Sequence, residues 1–127
     1  MPHVIALVDD LMFLSRIREA ARATGVEVLP ARSTADVVAA ARGGGRLVLV
    51  DADSTRLPWE QALAALRAEP ALAAVPAVAF ASHVHPERVA AASAAGASRV
   101  LSRGVFVRDL PTLLAAAHPT LSEENQA

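Results

Sequence analysis

At 127 residues and a formal net charge of -1, the chain has the length of one domain and no charge excess for nucleic acid or an anionic membrane surface. Hydrophobic residues make up 54% of it, which excludes a disordered chain, and the lack of cysteine excludes disulfides, thiolate metal sites and cysteine nucleophiles together. All 12 basic side chains are arginine, so any chemistry that needs a fixed cation must use a planar, always-charged guanidinium.

No apolar run approaches the length of a membrane span, and Met1-Pro2-His3 leads into a strand without a basic leader. The expectation is a cytoplasmic, stand-alone chain. Val4-Ile5-Ala6-Leu7-Val8 reads as a buried strand ending at Asp9-Asp10. Apolar residues at Leu11, Leu14, Ile17 and Ala21 then predict an amphipathic helix to Thr24, closed by Gly25. Val26–Leu29 is a short outer strand, and Ser33-Thr34 with Asp36 opens a second helix that stops at Gly43-Gly44-Gly45.

Leu47-Val48-Leu49-Val50 is the pivotal run: four aliphatic residues that end at Asp51. A continuous apolar strand is one buried on both faces, the mark of a parallel sheet flanked by helices. Pro58-Trp59 begins a third helix with Ala62, Leu63 and Leu66 inward, ending at Glu69-Pro70. Pro76–Ala81 is a fourth strand, Pro86-Glu87-Arg88 starts a fourth helix that runs to Gly96, and Ser98–Ser102 is a fifth strand. Asp109 is expected to cap a last helix from Leu110 to about Ala117, with Pro111 in its first turn. Residues 1–118 form the domain; the polar, acidic residues 119–127 are expected to be a flexible tail.

Five strand–helix units with short connections predict an α/β, doubly wound (βα)5 flavodoxin-like three-layer sandwich, with parallel strand order 2-1-3-4-5. In that order the first and third strands are neighbours at the topological switch point, where ligands bind beyond the carboxyl ends of strands. Asp9 and Asp10 after the first strand, with Asp51 and Asp53 after the third, therefore converge. Carboxylates so placed repel unless a cation sits among them, and oxygen-only ligands favour Mg²⁺. The plainer alternative is a set of solvated strand-end acids that cap helices.

These residues resemble the receiver domain of two-component response regulators, the fold of the chemotaxis response regulator, from about His3 to Ala117. The resemblance is carried by Val8-Asp9-Asp10, Leu49-Val50-Asp51 with Pro58, Pro76-Ala77-Val78 and Ala95-Gly96-Ala97-Ser98. It implies that Asp51 is the phospho-acceptor, that Asp10 assisted by Asp9 holds Mg²⁺ with Asp51, and that the backbone carbonyl of Asp53 completes the protein's share of the metal site. Three departures make it an atypical receiver. The Thr or Ser usual at the end of strand four reads Ala81, with Ser82 one residue later as a weak hydroxyl substitute, because a one-residue offset reverses side-chain direction. The lysine usual after strand five reads Arg103, followed by Gly104 in place of proline. Arg103 could clamp a phosphoryl group or pair with Asp51 in the resting state. The aromatic switch residue of strand five reads Val100.

The function this implies is two-component-type signal transduction through protein–protein contacts, with a sensor histidine kinase or another signalling protein as partner. The fourth helix, fifth strand and fifth helix offer a face for a homodimer. Beyond phosphoryl transfer at an aspartate, no enzyme activity is expected. A phosphorylation-independent pseudo-receiver binding module is the first alternative, favoured by Ala81, Val100 and Gly104. The second is a haloacid-dehalogenase-type phosphohydrolase, whose Asp-x-Asp-x-Thr pattern Asp51-Ala52-Asp53-Ser54-Thr55 matches, although that motif normally lies on a first strand and is followed by later metal-binding acids. His83 and His85 lie in the loop after strand four, and Trp59 reads as a packing anchor.

Overall fold

Alternation of buried runs with amphipathic stretches becomes ten elements in the computed structural model, which describes residues 3–82 and 86–117. In order they are β1 (His3–Leu7), α1 (Leu11–Thr24), β2 (Glu27–Pro30), α2 (Thr34–Arg42), β3 (Gly45–Asp51), α3 (Trp59–Ala68), β4 (Ala77–Ala81), α4 (Pro86–Ala95), β5 (Arg99–Ser102) and α5 (Arg103–Ala117). The strands form one sheet in the order β2-β1-β3-β4-β5, and every pairing is parallel. The expected tail, 119–127, and the two loop histidines, His83 and His85, lie outside the described residues.

The apolar run of β3 is continuous because successive side chains serve opposite cores. Val48 and Val50 join Ile5, Leu7, Ala77 and Ala79 beneath Val37 of α2, Leu63 and Leu66 of α3 and Ala92 of α4. Leu47 and Leu49 join Val4, Ala6, Val78 and Phe80 against Ile17 of α1 and Phe106, Leu110 and Leu114 of α5. Full burial of one such Leu or Phe stabilises the fold by about 1.5–3 kcal/mol over its exposed state.

Local signals set most boundaries. The Asp10 carboxylate accepts the N–H groups of Met12 and Phe13 and so starts α1, and Gly25, at φ 78°, ends it in the left-handed conformation that glycine adopts without strain. Ser33 Oγ accepts from Asp36 N–H at the start of α2. Trp59 is buried at the head of α3, and its indole N–H donates to the Ser54 carbonyl at 3.3 Å.

The last helix begins earlier than its sequence suggests. It starts at Arg103, so Asp109 does not cap it but lies inside it, paired with Arg108; Pro111 is likewise interior. The Ser102 hydroxyl accepts from Val105 N–H at the true start, and burial of Phe106, Leu110, Leu113, Leu114 and Ala117 along one face fixes the extra two turns. Gly104 causes no break: the space around it is open and its φ is not positive.

Candidate functional site at the C-terminal edge of the sheet

Parallel strands end together, so the residues after β1, β3 and β5 meet at one edge. There a cleft of about 330 Å³ is lined by Asp9, Asp10, Asp51, Asp53, Ser54, Thr55, Arg56 and Arg103. Asp51 is the last residue of β3, paired in register with Phe80 of β4, and is 2% exposed. Its carboxylate accepts the backbone N–H of Asp53 at 3.1 Å and that of Asp9. Burial pushes the Asp51 pKa above the ordinary aspartate value, and the Arg103 charge and these two N–H groups offset only part of that rise.

Arg103 is the side chain that ties the cleft together. Its Nε donates to Asp53 Oδ2 at 3.1 Å, one terminal nitrogen lies 3.5 Å from Asp10 Oδ2, and the other lies 3.8 Å from Asp51 Oδ1. The guanidinium carbon stands 4.8 Å from the ring centre of Phe13 and 5.4 Å from that of Phe80. Phe80 stacks on Phe13 at 4.6 Å to form an aromatic floor under this one cation, and Phe106, the third phenylalanine of the chain, backs Phe80 at 4.5 Å. Each favourable ring–guanidinium contact contributes about 0.5–1 kcal/mol and fixes the plane of the fork.

Asp53 is more heavily engaged than its place in the sequence suggests. Its carboxylate accepts the Ser82 N–H through both oxygens, at 3.1 and 2.9 Å, as well as Arg88 at 3.3 Å and Arg103. Burial raises its pKa, but the Ser82 N–H and the two guanidiniums outweigh burial and hold it below the usual aspartate range. Its backbone carbonyl accepts from the same Arg88 nitrogen at 3.1 Å. Asp10 is also held low, first by the Phe13 N–H and, against some desolvation, by the Met12 N–H and Arg103. Asp9, at the rim, accepts from the Ser54 hydroxyl at 3.3 Å and faces Arg32 at 3.6 Å.

The structure thus brings together Asp9, Asp10, Asp51, Asp53 and Arg103 and joins Ser82 to them through its backbone N–H. By type, the oxygen donors suit a hard divalent cation. Among the described residues no three acidic or histidine side chains are spaced to share an ion, so a metal here would rest on the two carboxylates and one carbonyl that the resemblance assigns. The oxygens that the resemblance assigns to metal are engaged instead by the α1 N–H groups, by Arg103 and by Arg88. Sequence reasoning missed Arg88, Phe13 and Phe80. A third-position arginine in α4 and two rings on separate elements carry no local motif, and only the tertiary fold aligns them.

Ala81 ends β4 fully buried opposite Ser102, and Val100 packs into the core beneath α3 and α4. Neither offers the cleft a hydroxyl or an aromatic edge.

No protein-family model and no curated protein matches the sequence. Among solved structures, the chain is similar to a putative response regulator from Chloroflexus aurantiacus (TM-score 0.76, 16% identity, 91% of this chain and 95% of that one). It is also similar to the chemotaxis protein CheY4 of Vibrio cholerae (TM-score 0.74, 18% identity, 93% and 99%). A CheY-like response regulator receiver domain protein from Methanospirillum hungatei matches over nearly the full length of both chains (TM-score 0.73, 17% identity, 99% and 98%). The element order, the strand order and these likenesses agree: the chain has the response-regulator receiver fold.

Proposed function

We propose that the protein is a receiver-type module of two-component signalling, with Asp51 as its phospho-acceptor and protein–protein contact as its output. The observation that carries this reading is a single buried carboxylate at the end of the central strand, on the floor of an open cleft, with a guanidinium 3.8 Å away. An aspartate oxygen attacks the phosphorus of an acyl phosphate or a phosphohistidine, the bond from phosphorus to the donor breaks, and the donor leaves with the electron pair. Arg103 and Arg88 supply positive charge beside the oxygens on which negative charge develops. A sensor histidine kinase is the natural class of donor, and a signalling protein or a second copy of the chain is the natural recipient of the output.

The phosphohydrolase alternative needs Asp53 to act as a general acid. Asp53 is held ionised by Ser82, Arg88 and Arg103, which unsuits it for that role. A phosphorylation-independent binding module draws support from the buried alanine at 81, which puts no hydroxyl at the end of β4, where a receiver would sense a phosphoryl group.

Intact-protein mass after incubation with acetyl phosphate, with and without Mg²⁺, tests the reading on wild type and Asp51→Asn. A phosphoryl adduct on the wild type that Asp51→Asn abolishes is expected. An unmodified wild type, or equal modification of both proteins, would refute the acceptor role, and partner capture that survives Asp51→Asn would establish the binding module.

A further inference from the structure

We propose that Arg103 is the resident cation of this cleft, so that the native site is neutralised by protein and excludes Mg²⁺. The inference concerns the cleft described above and rests on its reading as a receiver site. Three observations carry it. First, the three guanidinium nitrogens face three different carboxylates, Asp53 at 3.1 Å, Asp10 at 3.5 Å and Asp51 at 3.8 Å, a span that a compact ammonium cannot cover. Secondly, the fork is held in place from below by the faces of Phe13 and Phe80, and its side chain is only 35% exposed. Thirdly, the backbone carbonyl that would complete a metal's protein ligands, that of Asp53, already accepts from Arg88.

Mg²⁺ requires near-octahedral oxygens at about 2.0–2.1 Å and gives up water reluctantly. To take Asp10 and Asp51 as ligands it must draw their oxygens away from a guanidinium that cannot deprotonate and that stays beside them. The divalent and guanidinium charges then repel across a partly desolvated gap. Asp10 cannot turn freely to meet it either, because its other oxygen starts α1. Arg103 and Arg88 offset two of the cleft's four carboxylate charges and Arg32 faces a third, so the attraction that recruits a divalent ion is much reduced.

The test is Mg²⁺ binding, followed by the fluorescence of Trp59, the one tryptophan, whose indole is bonded to Ser54 at the cleft. Calorimetric titration and the thermal midpoint give independent readouts. Wild type is expected to show no saturable change and no rise in Tm at about 10 mM MgCl₂ relative to NaCl of equal ionic strength, since a ligand that binds only the folded state must raise Tm. Arg103→Gln is expected to bind at least about tenfold more tightly than wild type, and Arg103→Gln/Asp51→Asn to lose that gain. Should the glutamine variant fail to fold, Arg103→Lys, which keeps the charge but not the span, is expected to gain binding in the same direction. Saturable Mg²⁺ binding by wild type in the low millimolar range, or no gain in a folded Arg103 variant, overturns the proposal. No phosphoryl donor is present, so this outcome is separate from that of the acetyl phosphate experiment.

Discussion

Replacing Arg103 with glutamine should destabilise the protein by about 3 kcal/mol at pH 7, and by clearly less near pH 4. The structure gives the size contact by contact. A charge-assisted hydrogen bond such as that to Asp53 contributes about 1.5–3 kcal/mol when buried, and roughly 1 kcal/mol after allowance for the 35% exposure of the arginine. The contact with Asp10, itself 40% exposed, adds only a few tenths at about the lower end of surface ion pairs. The aromatic floor contributes about 0.5–1 kcal/mol. The remainder, about 1–2 kcal/mol, comes from Asp51, whose 3% exposed side chain would lose its nearest countercharge. The pH dependence comes from that last contribution. Removal of Arg103 raises further an Asp51 pKa that burial already holds above the unfolded value, so between the folded-state values of wild type and variant the folded variant binds more protons than folded wild type. Its stability therefore rises relative to wild type as pH falls through that interval. Asp53 and Asp10, held below the ordinary range, stay ionised until lower pH. Urea unfolding followed by Trp59 fluorescence at pH 7 and pH 4 measures the gap. A loss under about 1 kcal/mol at pH 7, or an equal loss at both pH values, would refute the electrostatic account.

Two further substitutions probe the cost of the site and the frame that holds it. Asp51→Asn should stabilise the protein at pH 7, because burial makes an ionised carboxylate in this position less stable folded than exposed; the advantage should vanish below the unfolded pKa of aspartate, and denaturation midpoints at pH 7 and about pH 3 decide it. Gly96→Ala should cost about 2–3 kcal/mol: φ is 114° there, and a Cβ would come within 2.8 Å of Arg67 Cγ, displacing a side chain that donates to the carbonyls of Gly96, Ala73 and Val75. A thermal midpoint unchanged from wild type would show that the clasp yields freely.

The fold was legible because its signals are periodic and repeated. β1, β3 and β4 announce themselves as apolar runs, and Gly25, Ser33 and Pro86 mark helix ends by local chemistry that does not depend on the rest of the chain. The start of α5 was not legible for the same reason reversed. Gly104, Asp109 and Pro111 are each local signs of a boundary, yet Phe106, in the first turn of the observed helix, is fully buried in the core, and burial outweighs propensity. The gathering of Asp9, Asp10, Asp51 and Asp53 followed from strand order alone. What each carboxylate bonds did not, since Ser82, Arg88 and Arg103 reach Asp53 from 29, 35 and 50 residues away.

That difference bears on how the cleft works. In a chain without lysine, the cation after β5 is a fork whose plane must be fixed by something; Phe13 of α1 and Phe80 of β4 fix it, and Phe106 of α5 packs against both rings. One side chain thereby couples the ends of β1 and β3 to the first turn of α5. A change of charge on Asp51 would act first on Arg103, the residue that opens the helix bearing Phe106. Coupling of this kind needs neither a hydroxyl at 81 nor an aromatic ring at 100. The absence of both from the cleft is therefore compatible with a site whose charge is read through a guanidinium. Amide exchange across residues 103–107 should rise in Arg103→Gln well before β3 is affected, whereas uniform loss of protection would mean that Arg103 supports the whole fold rather than this one junction.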